Sequence, residues 1–395
     1  MERKERHRGL LRAVRALARP RGPTRGPPRG SANVQRKRDP GQRDDPGGSG
    51  IPKPEWSARC HLKLAALVAA AGLCIAQQAS GAQAPRYPLH PDDRIRLAEA
   101  NRLRRLIEER VWPGWGEAPF ALLLVTDSVE FLLWHPSPSA EFTAQGHDSL
   151  LGTEVFVRPR KLPPNLLATF PAVGAVPTIV IGQPARTRKR SSEWVITVLH
   201  EHFHQLQFSR PGYYAAVDGL GLARGDQSGM WMLNYPFPYD SLPIQQRAKA
   251  TATALANALD EKASLNDLLP RIAAAYQSLR KDLSADDRRY LDFQLWQEGV
   301  ARYVEYRCAR LAADGGAPTA AFASLPDYTP YAEVADWLHS RIIEELRTAD
   351  LKATQRILFY PLGAALALLL DRVTPDWKAT YFTPMLTLER YFPSP

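Results

Sequence analysis

Cysteine is nearly missing from this chain. There are three in 395 residues, Cys60, Cys74 and Cys308, which excludes a disulfide-stapled fold and a thiolate metal cage. Net charge is missing from most of the chain as well. Of 51 Lys and Arg and 41 Asp and Glu, 16 and 6 fall in residues 1–60, so the rest carries 35 of each sign. A balanced body has no electrostatic footprint for nucleic acid or an anionic membrane. Internal repeats are also absent. What is abundant is apolar: 45% of residues are hydrophobic, enough for one large core or two tight lobes. Histidine is scarce at nine, yet three of the nine stand within residues 200–204.

The basic excess is concentrated at the start. Residues 1–59 are rich in Arg, Pro and Gly and poor in apolar side chains. They are expected to be a disordered basic leader, or sequence upstream of the true translation start. Residues 60–82 then read as a signal peptide. Arg59 and Lys63 supply positive charge, residues 64–76 an apolar run, and Ser80-Gly81-Ala82 a small-residue cleavage site. Cleavage after Ala84 would put Pro85 next, so Ala82 is the expected end of the signal. A lipid anchor on Cys74 is disfavoured by the bulk of Leu73 before it. The expected destination is secreted or periplasmic, with no stable membrane insertion after cleavage. Cys308 alone would then remain, a small buried hydrophobe in a helical pattern.

Residues 91–111 have a Pro and two aspartates at the front and an apolar face of Ile95, Leu97, Leu103, Leu106 and Ile107, which predicts an amphipathic helix. Short β-type runs follow at 120–126 (FALLLVT), 130–134 (EFLLW), 153–157 (TEVFV) and 178–181 (TIVI). From residue 191 helices are predicted near 192–208, 243–260, 264–281, 285–313, 331–348 and 353–372. Residues 209–242 hold too much Gly, Pro and aromatic residue for a regular helix and are expected as a long connection. The fold class is α+β: a small mixed or antiparallel sheet in a lobe over 115–185, packed on a mainly helical body over 190–395. One hydrolase domain over 83–395 would contain both.

The clustered histidines belong to VLHEHFHQLQ, residues 198–207. His200 and His204 are four apart, so on a helix they share a face and can converge on one metal ion. Glu201 follows the first and flanks that ion, where it can take a proton from water. His202 points away and reads as a packing residue. The preceding Trp194, Val195, Ile196, Val198 and Leu199 mark a buried helix, and buried imidazoles need partners. A catalytic zinc site needs a third protein ligand and an open position. The leading candidate is Glu298 in WQEGVARYVEYRCARL, residues 296–311, because Gly299 beside it permits close helix approach. Glu305 on the same helix face and Asp218, fourteen residues after His204, are the alternatives.

HEHFH followed much later by EGVARYVE resembles the zinc metallopeptidases whose third ligand is a glutamate, the thermolysin-like or gluzincin clan. The resemblance rests on those two segments. It implies Zn²⁺ on His200, His204 and Glu298, Glu201 as general base, and a sheet ahead of a helical body. Glu298 follows His204 by 94 positions, a wider spacing than in thermolysin itself. Arg302 stands where that type has an acidic residue supporting a ligand histidine, and Glu305 is the candidate for that support. Such chemistry also needs a donor for the developing oxyanion. Tyr360, ahead of an apolar helix, is the candidate, with Tyr303 the alternative.

The expected protein is thus an extracytoplasmic zinc hydrolase acting on a peptide or protein, with no nucleic-acid partner. Hydrolysis of a non-peptide amide or ester is the second expectation, and a non-catalytic metal-binding relative the third. Retention of the Glu201 base argues against the last.

Overall fold

The computed structural model describes residues 86–260 and 265–392. The leader and the signal-like segment, with Cys60 and Cys74, lie outside the described residues. Helix α1 (Pro91–Val111) comes first, followed by the strands of one sheet. These are β1 (Leu122–Val125), β2 (Val129–Leu133), β3 (Thr143–Asp148), β4 (Thr153–Pro159), β5 (Leu167–Val173) and β6 (Val176–Gly182). They are ordered β3-β4-β2-β1-β6-β5. β1 runs parallel to β6 and every other pairing is antiparallel, so the α+β class and the mixed sheet hold.

Alternation along the strands divides the apolar residues between two cores. Leu122, Leu124, Phe131, Leu133, Ile179 and Ile181 face the helices and join the main core. Leu123, Val125, Leu132 and Val180 point to the other face, where Phe142, Leu162 and Phe170 cover them. The sequence left β3 and β5 unassigned. β3 is a polar edge strand (TAQGHD) with no apolar alternation. β5 carries Pro171 at an irregularity between Phe170 and Val173, a residue tolerated only at an edge or bulge.

The helical body contains α2 (Ser191–Ser209), α3 (Leu242–Asp260), α4 (Leu265–Arg280), α5 (Ala285–Gln294), α6 (Val300–Gly315), α7 (Tyr331–Arg347) and α8 (Phe359–Val373). α2 has no Gly or Pro inside it, and Pro211 follows its end. It is buried all round except at Glu193, Phe208 and Ser209, as an apolar helix must be. Gln205 pins it to the sheet: its Nε2 donates to the carbonyls of Ala121 (2.9 Å) and Pro177 (2.7 Å). α2 packs on β5 and β6 on one side and on α6 on the other, which makes it the axis of the domain.

The helix expected over 285–313 is interrupted. α5 passes into a π-helical turn, Leu295–Gly299, before α6 resumes the α geometry. Residues 290–301 are buried on all sides apart from Glu298, so no amphipathic period marks the change of geometry. Such turns are common at functional sites. The loop over 209–242 also contains short helices at Tyr213–Gly219 and Trp231–Asn234. Leu351–Val373 is long and apolar enough to cross a membrane, but 61% of its most apolar stretch is buried within the fold.

Candidate metal centre

His200 and His204 stand one turn apart on α2, with ring centroids 4.9 Å apart. The π turn brings Glu298 to them from the opposite wall. One ligand atom from each of His200, His204 and Glu298 lies within 4.8 Å of the other two. His204 Nε2 is 3.5 Å from Glu298 Oε2. Zinc bonds of about 2.1 Å at tetrahedral angles separate ligand atoms by roughly 3.4 Å, which the His204–Glu298 separation matches.

A polar group stands behind each imidazole, in hydrogen-bond contact at His204 and at longer range at His200. His204 Nδ1 is 2.7 Å from Gln207 Oε1. The Gln207 amide is itself oriented, because its Nε2 donates to the Tyr381 hydroxyl (2.8 Å) and the Gln297 carbonyl (3.2 Å). An amide oxygen only accepts, so Nδ1 carries the proton and Nε2 faces the cluster. His200 Nδ1 points at Glu305 Oε2, 3.7 Å away, and makes no hydrogen bond. Arg302 Nη1 lies 3.4 Å from the same Glu305 oxygen.

The electrostatics are those of a cation site. Burial disfavours a charged His204, but the Glu298 carboxylate outweighs it and raises the ring to about 9. Burial likewise opposes ionisation of Glu298, yet His204 holds it down to about 2. Burial pushes Glu305 upward, and Arg302 with His200 more than offsets this, leaving it well below the usual carboxylate range. Ionised carboxylates thus face both rings.

Glu201 is buried beside the ligands, and its charge reaches His204. Thr169 on edge strand β5 holds it. Thr169 Oγ1 is 2.8 Å from both Oε2 and the main-chain oxygen of Glu201, sharing its one proton between them. Tyr360, in the first turn of α8, lies against Glu298 and accepts a 3.0 Å hydrogen bond from Arg356 Nη1. Burial and the Glu298 charge push its phenol well up, so it stays a donor.

The alternatives are drawn elsewhere. Glu305 sits behind His200 rather than in the cluster. Asp218 is exposed at the end of its short helix. The Tyr303 hydroxyl donates to Asp371 Oδ2 at 2.6 Å. His202 is fully buried between Gln205, Glu108 and a stacked Trp115, a packing residue. Burial pushes the Cys308 thiol up. The loop aromatics pack inward, Tyr235 stacking 4.4 Å from Tyr290 and Phe237 5.2 Å from Phe359. A surface groove of 570 Å³, lined by Leu220, Arg280, Arg288, Asp292 and Met385 among others, shares no residue with the cluster.

Three contributors escaped the sequence reading. Gln207 was accessible through its i+3 spacing from His204. Thr169 and Arg356 reach the site through tertiary packing alone. No family model, curated protein or solved structure matches this chain.

Proposed function

We propose that the protein is a zinc-dependent hydrolase, in the first place a metallopeptidase of the glutamate-ligand type, working outside the cytoplasm. The observation that carries this reading is the convergence of His200, His204 and Glu298 within 4.8 Å inside a fold that also presents Glu201. The buried donor set contains no thiolate and suits zinc. A zinc ion on these three residues would supply a Lewis acid toward water and a carbonyl.

The chain's own residues do the rest. Glu201 takes a proton from the attacking water and returns it to the leaving nitrogen. Thr169 fixes the carboxylate in position for both transfers. Tyr360 donates to the oxyanion as it develops. Gln207 and Glu305 keep the two imidazoles in register. The extracytoplasmic location rests on residues 60–82 and is tested by the N-terminal sequence of the mature protein, expected near Gln83.

The test of the reaction is metal content, measured by plasma mass spectrometry on full-length protein and on Glu298→Gln. One zinc per wild-type chain, largely lost from the variant, is expected. Cleavage of a peptide library by wild type but not by Glu201→Gln would follow. Absence of zinc from the wild type after incubation with excess metal sinks the reading.

A further inference from the structure

Arginines in this core come with carboxylates. Arg96 meets Asp93 at 3.0 Å, Arg104 meets Glu108 at 2.9 Å, and Arg158 meets Glu130 at 2.6 Å. Arg280 meets Asp292 at 3.1 Å and Arg302 meets Glu305 at 3.4 Å. Arg356 breaks the pattern. It is partly buried, and among the described residues no carboxylate lies within ion-pair distance of it. Its one hydrogen bond goes to a neutral group, the Tyr360 hydroxyl at 3.0 Å. A guanidinium has five N–H donors. None of its nitrogens is sealed from solvent without a partner, so the unused donors are reached by solvent.

Arg356 stands next to the elements that carry the candidate centre: its partner Tyr360 opens α8, which meets the π turn of Glu298 backbone to backbone. The Tyr360 hydroxyl that accepts from Arg356 also lies against Glu298. The Glu298 charge acts on both Tyr360 and Arg356, so the guanidinium is within electrostatic reach of the third candidate ligand. Tyr239 and Tyr290 are close enough for the Arg356 charge to act on their hydroxyls. The backbone is bent to put Arg356 there: Gln355 adopts φ 51° and ψ −132°, a conformation that L-residues avoid and that concentrates at functional sites.

We propose that Arg356 is a specificity residue that binds the free terminal carboxylate of a short peptide or acylated amino acid, directing the site to carboxy-terminal ends. A planar, partly desolvated guanidinium pairs with a carboxylate by two parallel hydrogen bonds. A zinc ion held by Glu298 would balance its negative charge, so the carboxylate would not repel such a substrate. The proposal deepens the hydrolase reading and rests on it for the word substrate.

The test is calorimetric binding of N-acetyl-phenylalanine and of its amide. It uses the zinc-free wild-type protein and the zinc-loaded Glu201→Gln variant, with zinc content measured in parallel. Acid binding about tenfold or more tighter than amide is expected in both. Arg356→Met is expected to erase the difference and Arg356→Lys to keep part of it, each at unchanged zinc content and with a cooperative melt. Equal binding of acid and amide, or no saturable binding of either, overturns the proposal, and the wild-type comparison does so without any variant. Zinc uptake without acid–amide discrimination defeats the Arg356 assignment alone. Discrimination without zinc uptake defeats the hydrolase reading and leaves a carboxylate-binding site.

Discussion

Gly299 of the π turn and Gly363 of α8 meet backbone to backbone. A Cβ on Gly299 would stand 2.5 Å from Gly363 Cα, and one on Gly363 would stand 2.6 Å from both Gly299 Cα and the Leu295 carbonyl oxygen. No real Cβ tolerates such distances, so neither position accepts a side chain without moving a helix. The contact lies one residue from Glu298 and three from Tyr360. It sets the distance between the third candidate ligand and the candidate oxyanion donor.

Gly299→Ala is therefore expected to lower stability by about 2–4 kcal/mol, the upper range of overpacking in a rigid core, and to reduce zinc content although no ligand changes. Gly315 on α6 is the control, since a Cβ there would meet only Arg110 Nη1, at 3.9 Å. Gly315→Ala is expected to be neutral or to stabilise by up to about 1 kcal/mol. Thermal melts and metal analysis of both variants check this, and an unperturbed Gly299→Ala protein would deny the contact its role.

Glu305 separates a supporting carboxylate from a ligand. Losing the carboxylate behind His200 leaves three ligands in place but one ring poorly oriented. Glu305→Gln is expected to weaken zinc binding by roughly 10–100-fold while retaining one zinc per chain at saturating metal. Glu298→Gln is expected to lose stoichiometric zinc altogether. Competition titration against a chromophoric chelator distinguishes the two, and loss of stoichiometry in Glu305→Gln instead would exchange their roles. An ion held by residues from α2 and the π turn would bind only the folded chain, so chelation is also expected to lower the wild-type melting temperature.

The sequence carried the local part of this architecture well. The spacing of His200, Glu201 and His204 is a within-helix relation, and the Glu298-Gly299 pair marked the one residue where another backbone could approach. α1, α2 and the central strands announced themselves by periodicity and composition. What stayed hidden was tertiary. The π turn lies in a segment buried almost all round, where no amphipathic period could reveal it. β5 is edge-paired and interrupted by Pro171, so nothing in LATFPAV marks Thr169 as a partner of Glu201. Arg356 falls within the helix expected over 353–372, but the structure interrupts that helix at a strained Gln355 and makes 355–358 a 3-10 turn, and the packing of α8 on the π turn brings it towards Glu298.

The Arg94–Asp148 pair gives a pH dependence remote from the centre. Arg94 Nε and Nη2 donate to Asp148 at 2.6 and 2.9 Å, tying α1 to the β3–β4 turn. Arg94 holds the Asp148 carboxyl below its usual value, with the Leu150 and Leu151 amides adding to the effect. A carboxylate whose pKa is depressed on folding contributes stability above its unfolded value, near 3.9, and that stability disappears as pH falls through the folded value. Asp148→Asn is expected to cost about 1 kcal/mol at pH 7, as a half-exposed pair does. The cost should persist at pH 5 and shrink below about pH 4. Urea titrations of both proteins at pH 7, 5 and 3 measure it; a pH-independent difference would mean that the turn geometry, not the charge, is responsible.

Thr169 offers the sharpest separation of positioning from binding. It touches the candidate base from a strand that carries no candidate ligand, so its removal should leave metal and ground-state binding alone. Thr169→Val is nearly isosteric and deletes only the hydroxyl. It leaves Glu201 Oε2 without its donor and free to rotate away from the water it must deprotonate. For a cleavable peptide the expected result is a fall in kcat of about tenfold, within the usual contribution of a positioned base, with KM and zinc content unchanged. Thr169→Ser, which restores the donor, should recover most of the rate. A rise in KM with kcat intact would instead place Thr169 on the substrate-binding side of the site, and loss of zinc from the valine variant would show that β5 supports the ligands themselves.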